Sequence, residues 1–151
     1  MNRDIKNIVS YYKRKTGTIN PFEIADQLGI LYQMCNLQFE GCYMFLKNHR
    51  YIFINKNLSE HEQRLVMAHE LGHAILHRKE NCYFIRNKTL LLNSKKEIEA
   101  NRFAMELLLP DSFLEEYKEF TIEQISRITG YNQNLIRLRM KNNNAYEGEK
   151  L

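Results

Sequence analysis

The chain has 151 residues, 44% of them hydrophobic, and a formal net charge of +4. This length suffices for one domain with a substantial core. No apolar run reaches the roughly 18 residues that predict a membrane span, and the first residues lack the apolar segment of a secretion signal. The small positive charge permits an acidic partner without demanding a nucleic acid.

The three cysteines, Cys35, Cys42 and Cys82, are an odd number and include no Cys-x-x-Cys pair. This pattern argues against a disulfide scaffold and against a thiolate zinc site. We therefore expect reduced thiols in a cytoplasmic protein.

The N-terminal part of the chain predicts two helices. Apolar residues recur at helical spacing over residues 2–16, and Gly17 ends this pattern. Asn20 and Pro21 follow in the order typical of an N-cap and a first helical residue. Gly29 is expected to end this second, shorter helix.

Three short segments rich in aliphatic and aromatic residues follow, and they predict strands. These segments are residues 30–35, 41–46 and 51–55. Residues 47–50 form a polar turn between the last two, which indicates a hairpin. We expect a small antiparallel sheet.

The most informative segment is a helix predicted from Ser59 to about His77. Ser59 and Glu62 have the spacing of a capping box at its start. Within this helix, His69, Glu70 and His73 form the pattern H-E-x-x-H. Residues four apart lie on one helix face, so the two imidazoles can point at one metal ion.

Glu70 is rotated about 100° from His69 and can reach a metal-bound water without becoming a ligand. The alternative is two core histidines and a glutamate at a wet edge. The surrounding residues are apolar on nearly every side, so the helix should run through the core. Burying all three polar residues without a metal would be costly, which favours the metal site.

His77 continues the four-residue spacing, but we do not expect it to be a third ligand. The helical rise places it about 12 Å from His69. A role behind the ligands or at the helix end is the expected one.

A second polar residue on an apolar face occurs in the helix predicted from Ser94 to Leu109. Glu97 shares its face with Ala100 and Ala104, and Asn101 lies one turn further along the same stripe. Ser94 and Glu97 also have capping-box spacing, which is the alternative role for this glutamate. We favour Glu97 as a metal ligand, because two histidines leave zinc without its third protein ligand.

Glu99 is expected on the opposite, solvated face of this helix. It shares that face with Arg102 and Glu106. Two residues correspond to about 200° of helical rotation, so Glu97 and Glu99 should point in nearly opposite directions.

The remaining segments are less distinctive. Residues 79–93 suggest a loop with one short strand, and 112–119 suggest a short helix. The pair of helices over 122–141 has the spacing of a helix-turn-helix, with Arg137, Arg139 and Lys141 on its second helix. Residues 1–141 are expected to form one domain, and 142–151 a disordered tail.

The H-E-L-G-H helix and the later string E-I-E-A-N-R-F-A-M-E-L-L-L-P at 97–110 together resemble the ImmA/IrrE-type metallopeptidases. The resemblance covers roughly residues 40–110. Leu109 stands where members of the family often have methionine, a conservative change. The family's third metal ligand maps to Glu97, in agreement with the angular argument.

This resemblance implies an α+β fold: a compact, zincin-like (gluzincin-like) domain with a small antiparallel sheet packed on the H-E-x-x-H helix and further N- and C-terminal helices. It implies a cytoplasmic zinc peptidase of bacteria, their phages or mobile elements. The family's substrates are helix-turn-helix transcriptional repressors, whose cleavage releases silenced genes.

The expected mechanism uses one zinc ion per chain, held by His69, His73 and Glu97, with Glu70 as the base. Asn101 is expected to accept a hydrogen bond from the outer N–H of a ligating histidine. Tyr43, Tyr51 and His77 stay open as donors to the oxyanion.

By resemblance to other zinc peptidases, substrate is expected to bind along a sheet edge. The candidate is the first hairpin strand, with residues Gly41, Cys42, Tyr43, Met44 and Phe45.

Two other functions are compatible with the sequence. The protein could be a DNA-binding regulator acting through residues 122–141, or a non-catalytic zinc-containing module that binds a partner. The few cations on the last helix argue against the first, and the intact Glu70 against the second. We expect a protein substrate, no specific DNA binding and no membrane contact.

Overall fold

The computed structural model describes residues 4–80 and 94–141. The fold is α+β, as predicted. The elements are α1 (Ile5–Thr16), α2 (Pro21–Leu28), β1 (Leu31–Cys35), β2 (Gly41–Leu46), β3 (His49–Asn55), α3 (Glu60–Leu76), α4 (Lys95–Leu108), α5 (Asp111–Glu116), α6 (Ile122–Thr129) and α7 (Gln133–Lys141). The loop-and-strand prediction over 79–93 and the tail prediction over 142–151 fall almost entirely outside the described residues.

The three described strands form a mixed sheet, so the expectation of an antiparallel sheet was wrong. Strand β3 lies in the centre, antiparallel to β2 and parallel to β1. The link between β1 and β2 crosses the end of β3. There Asn55 donates from its backbone to the carbonyl of Glu40 (2.9 Å) and from its side chain to that of Leu37 (3.1 Å). Alternating side chains reveal strands but do not encode the order in which strands pair.

The hairpin turn is tighter than predicted. Only Lys47 and Asn48 lie between β2 and β3, and their φ angles are +48° and +67°. Two consecutive positive φ angles are typical of the type I′ turn, whose twist matches that of a hairpin. His49 and Arg50 therefore belong to β3.

Helix α3 runs through the core, as its sequence predicts. It begins with the capping box of Ser59 and Glu62, and every residue from Leu65 to Ala74 is buried. The sheet packs on it through β2 and β3, and α2 and α4 cover other sides. The H-E-x-x-H segment is therefore held by packing from several directions.

Helix α4 is enclosed more completely than its sequence suggests. It packs against α3, α1 and α7. Glu99 and Glu106, both expected on a solvated face, are 8% and 4% exposed. That expectation was wrong because α4 has neighbours on more than one face, so that Glu99 contacts His77 and Glu106 contacts Arg139.

Helix α7 joins α4 through a buried ion pair. Arg139 is fully buried, donates from Nε to the carbonyl of Leu109 (2.8 Å), and lies 3.3 Å from Glu106 and 2.8 Å from Asp111. The pairing compensates for the desolvation of the guanidinium. The two C-terminal helices form as predicted, with the capping box at Thr121 and a left-handed Gly130 between them.

Across the two described stretches, no helix combines the length and the apolar character that a membrane crossing needs.

Candidate metal centre

Two histidines of α3 and one glutamate of α4 converge in the core. Glu97 Oε1 lies 3.0 Å from Nε2 of His69, and Glu97 Oε2 lies 2.9 Å from Nε2 of His73. The histidines are fully buried and Glu97 is 2% exposed. The structure thus brings together the three residues that the sequence singled out as ligands.

Glu97 is not used to cap its helix. Ser94 is the N-cap of α4, but within the described residues its side chain makes no capping hydrogen bond. The alternative role proposed for Glu97, a capping box with Ser94, is therefore wrong. Both carboxylate oxygens instead face the imidazoles of α3.

The electrostatics of the site keep Glu97 ionised. Burial by itself raises the pKa of this carboxyl, but hydrogen bonds to His69 and His73 and the charges of these residues outweigh that effect. The net result is a pKa below the ordinary value of glutamic acid. A carboxylate is the form in which glutamate binds a cation.

Asn101, the residue expected to accept from a ligating histidine, contacts His69. Its Oδ1 lies 2.7 Å from His69 Nδ1, and the side chain is fully buried. An amide oxygen can only accept, so His69 carries a proton on Nδ1. Its Nε2, the nitrogen beside Glu97, is then the one that a metal would occupy in place of a proton.

His73 is supported by residues whose connection the sequence did not reveal. Its Nδ1 lies 2.9 Å from Nδ1 of His77, and Nε2 of His77 lies 2.8 Å from Oε1 of Glu99. His77 caps the end of α3 and is 4% exposed, which agrees with its expected place behind the ligands. Three histidines at four-residue spacing were the available signal, but nothing local indicated Glu99.

Glu70 completes the cluster. It is fully buried, and one of its carboxylate oxygens lies within 4.8 Å of the nearest ligand atoms of His69 and His73. Glu97 approaches Nε2 of both histidines to 2.9–3.0 Å. Both glutamates therefore belong to the buried cluster, with Glu97 bridging the two histidines and Glu70 within reach of the same histidine atoms.

The donor set fits a metal ion such as zinc. Catalytic zinc sites use three nitrogen or oxygen ligands and keep a fourth position open. With bond lengths of about 2.0–2.2 Å, tetrahedral ligand atoms lie roughly 3.4 Å apart. The observed 2.9–3.0 Å separations need to widen by only a few tenths of an ångström to admit the ion.

Gly72 sets the distance between α3 and α4. A Cβ atom added to Gly72 would lie 3.1 Å from Cβ of Phe103 and 3.2 Å from Cα and O of Ala100. These contacts are too close for ordinary packing and involve backbone atoms. The glycine therefore permits the close approach that brings Glu97 and Asn101 to the histidines.

We expect Gly72→Ala to weaken metal binding although residue 72 contacts no metal. The added methyl should push α4 away from α3, which misplaces Glu97, and overpacking of this kind costs about 1–3 kcal/mol. Chelator competition would measure metal affinity, and thermal unfolding would measure stability. Unchanged metal affinity in Gly72→Ala would contradict this role.

Two of the three candidate oxyanion donors already have their protons engaged. The hydroxyl of Tyr43 donates to the carbonyl of Arg78, and both ring nitrogens of His77 have partners.

Strand β2, the candidate for substrate binding, lies at one edge of the described sheet, and its residues Gly41, Cys42 and Tyr43 are buried. Its role in substrate binding stays a prediction.

A buried H-E-x-x-H helix beside a carboxylate from a neighbouring helix defines a metallopeptidase site. Residues 25–129 match the peptidase family model described as the IrrE N-terminal-like domain. The chain therefore belongs to the ImmA/IrrE-type metallopeptidase family.

Two relatives extend this comparison. The chain is 42% identical over 139 residues to "Uncharacterized immunity region protein 2" of Bacillus phage phi105. This alignment covers 89% of this chain and 88% of the relative. The chain is also 36% identical over 132 residues to "Metallopeptidase ImmA" of Bacillus subtilis (strain 168), and that alignment covers 83% of this chain and 77% of the relative.

Proposed function

We propose that this protein is a zinc-dependent endopeptidase that cleaves a helix-turn-helix transcriptional repressor and thereby relieves gene silencing. The observation that carries the proposal is the convergence of His69, His73 and Glu97 beside the buried Glu70. The substrate class rests on the family resemblance, and the reaction class is supported by the relative named Metallopeptidase ImmA.

The chain's own residues divide the work of hydrolysis. His69 and His73 would hold zinc as neutral imidazoles, and Glu97 would add one negative charge. When bound, zinc lowers the pKa of water and polarises the scissile carbonyl. Glu70 would take a proton from the attacking water and deliver it to the leaving amine, because its carboxylate lies beside the ligands.

The proposal predicts one zinc ion per chain and cleavage that depends on it. Purified protein should contain zinc in equimolar amount by elemental analysis. Removing the ion with a chelator should abolish cleavage of a helix-turn-helix repressor encoded beside the gene, and adding zinc should restore it. A His69→Ala variant should bind far less zinc under the same conditions.

Two results would contradict the proposal. Protein that binds no zinc after zinc addition would remove the metal site. Zinc-loaded wild-type protein that leaves every candidate repressor intact, just as metal-free protein does, would contradict the proposed cleavage.

The regulator alternative has less support than the peptidase. Of the three cations noted on α7, Arg139 is buried in ion pairs and only Arg137 and Lys141 are exposed. DNA binding needs cations on an accessible face. We therefore propose that α7, which packs against α4 and α6, belongs to the core and that the pair does not read a DNA sequence.

We further propose that residues 1–141 act as one domain in the cytoplasm. Cys35, a free thiol, is compatible with a reducing compartment.

A further inference from the structure

We propose that His77 and Glu99 together position His73 as a metal ligand by fixing which of its nitrogens carries the proton. This inference rests on the proposed zinc site and deepens it. The contacts are His73 Nδ1 to His77 Nδ1 at 2.9 Å and His77 Nε2 to Glu99 Oε1 at 2.8 Å. We call these three residues the histidine relay.

The direction of the hydrogen bonds follows from the chemistry of the end group. An ionised carboxylate only accepts, so Glu99 requires the proton of His77 to be on Nε2. Neutral His77 then has a lone pair on Nδ1 and can accept from His73. His73 therefore carries a proton on Nδ1, and its Nε2, 2.9 Å from Glu97 Oε2, is the nitrogen that a metal would occupy in place of a proton.

Burial makes this arrangement restrictive. His73 is fully buried, His77 is 4% exposed and Glu99 is 8% exposed. Bulk water therefore has little access to replace a missing partner, and a wrong tautomer would place two N–H groups or two lone pairs against each other. The carboxylate of Glu99, acting through His77, thereby determines the tautomer of His73.

The two histidine ligands are supported by different chemistry. His69 donates to the neutral amide oxygen of Asn101, whereas His73 donates through His77 to a carboxylate. A carboxylate partner raises the basicity of a ligating imidazole, and loss of such outer partners typically lowers metal affinity about 10- to 100-fold. The two proposed ligands thus differ in the group behind them, a neutral amide for His69 and a carboxylate, through His77, for His73.

A purely structural role for His77 is the competing explanation, because its backbone N–H caps α3 by donating to the carbonyl of His73 at 2.7 Å. That bond uses only the backbone and survives side-chain substitution. Variants can therefore separate the cap from the relay.

The experiment compares His77→Phe, His77→Asn and Glu99→Ala with wild type. Phenylalanine keeps a ring but removes the acceptor, whereas asparagine offers an amide oxygen, as Asn101 does for His69. We expect zinc affinity, measured by chelator competition, to fall about 10- to 100-fold in His77→Phe and Glu99→Ala. His77→Asn should recover part of this loss.

Glu106→Ala is the matched control. Glu106 is another buried carboxylate of α4 that pairs with a base from a different helix, Arg139. Its loss should lower the melting temperature and leave the zinc affinity of the folded protein unchanged. A similar affinity loss in this variant would show that the relay variants act through general destabilisation.

Nitrogen-15 NMR of the imidazoles in wild-type protein provides a readout that a structural cap would not affect. We expect protonated Nε2 and unprotonated Nδ1 on His77. A proton on Nδ1 of His77, or wild-type zinc affinity in folded His77→Phe, would overturn the inference. If the variants fail to fold, the wild-type spectrum decides alone. If wild type binds no zinc, the proposed function fails, and the same spectrum of metal-free protein still tests the relay.

Discussion

Glu70→Gln is expected to lower the rate of peptide-bond cleavage by about 100- to 10,000-fold, the usual contribution of a general acid–base residue. Zinc content should stay at the wild-type level, because His69, His73 and Glu97 retain their places. Glutamine has nearly the same shape as glutamate but cannot accept the proton of the attacking water. The buried position of Glu70 leaves little room for a solvent water to replace it.

The assay should follow cleavage of the repressor with zinc-loaded protein, together with zinc content and melting temperature. Glu60→Gln is a suitable control, since Glu60 is an exposed glutamate in the first turn of the same helix. It should retain wild-type activity. Cleavage by Glu70→Gln at the wild-type rate would remove Glu70 from the mechanism.

Glu97→Ala should cause the largest loss of zinc affinity of any glutamate variant on α4. We expect a loss greater than about 100-fold, the upper end of what an outer partner contributes. The variant removes both oxygens that face the histidines and leaves a site with two nitrogen ligands. Since metal binding stabilises only the folded protein, the increase in melting temperature on zinc addition should disappear as well.

Three alanine variants on one helix test this expectation. The loss of zinc affinity should decrease from Glu97→Ala to Glu99→Ala and should vanish in Glu106→Ala, since these residues contact the ligands, His77 and Arg139 respectively. Circular dichroism of the metal-free proteins would establish that each folds. Retention of zinc by Glu97→Ala, with loss in Glu99→Ala, would exclude the assigned ligand set.

Several helix boundaries could be predicted because their signals are local. Two helices begin with a capping box, in which residues three apart exchange hydrogen bonds: Ser59 with Glu62, and Thr121 with Gln124. Both helix starts could therefore be predicted from the sequence. Gly29 and Gly130 end their helices with positive φ angles, which glycine adopts without strain.

The convergence of the proposed ligands could also be predicted. The four-residue spacing of His69 and His73 places them on one face of any helix, whatever surrounds it. Glu97 was identified because a carboxylate among small apolar residues needs a charge partner. The match to the family string at 97–110 supported the same residue.

The order of the strands and the surroundings of α4 were decided by the tertiary structure. Helical rotation predicted Glu97 and Glu99 on nearly opposite faces, yet both contact histidines at α3, and Glu106 contacts Arg139 of α7. Glu99 finds His77 across 22 positions of sequence, and Arg139 reaches Leu109 across 30. By itself the sequence determined that His69 and His73 share one face of α3, since helical geometry fixes neighbours within a turn. Only the tertiary structure decided which residues lie behind the proposed ligands, because contacts between distant segments depend on the arrangement of the whole fold.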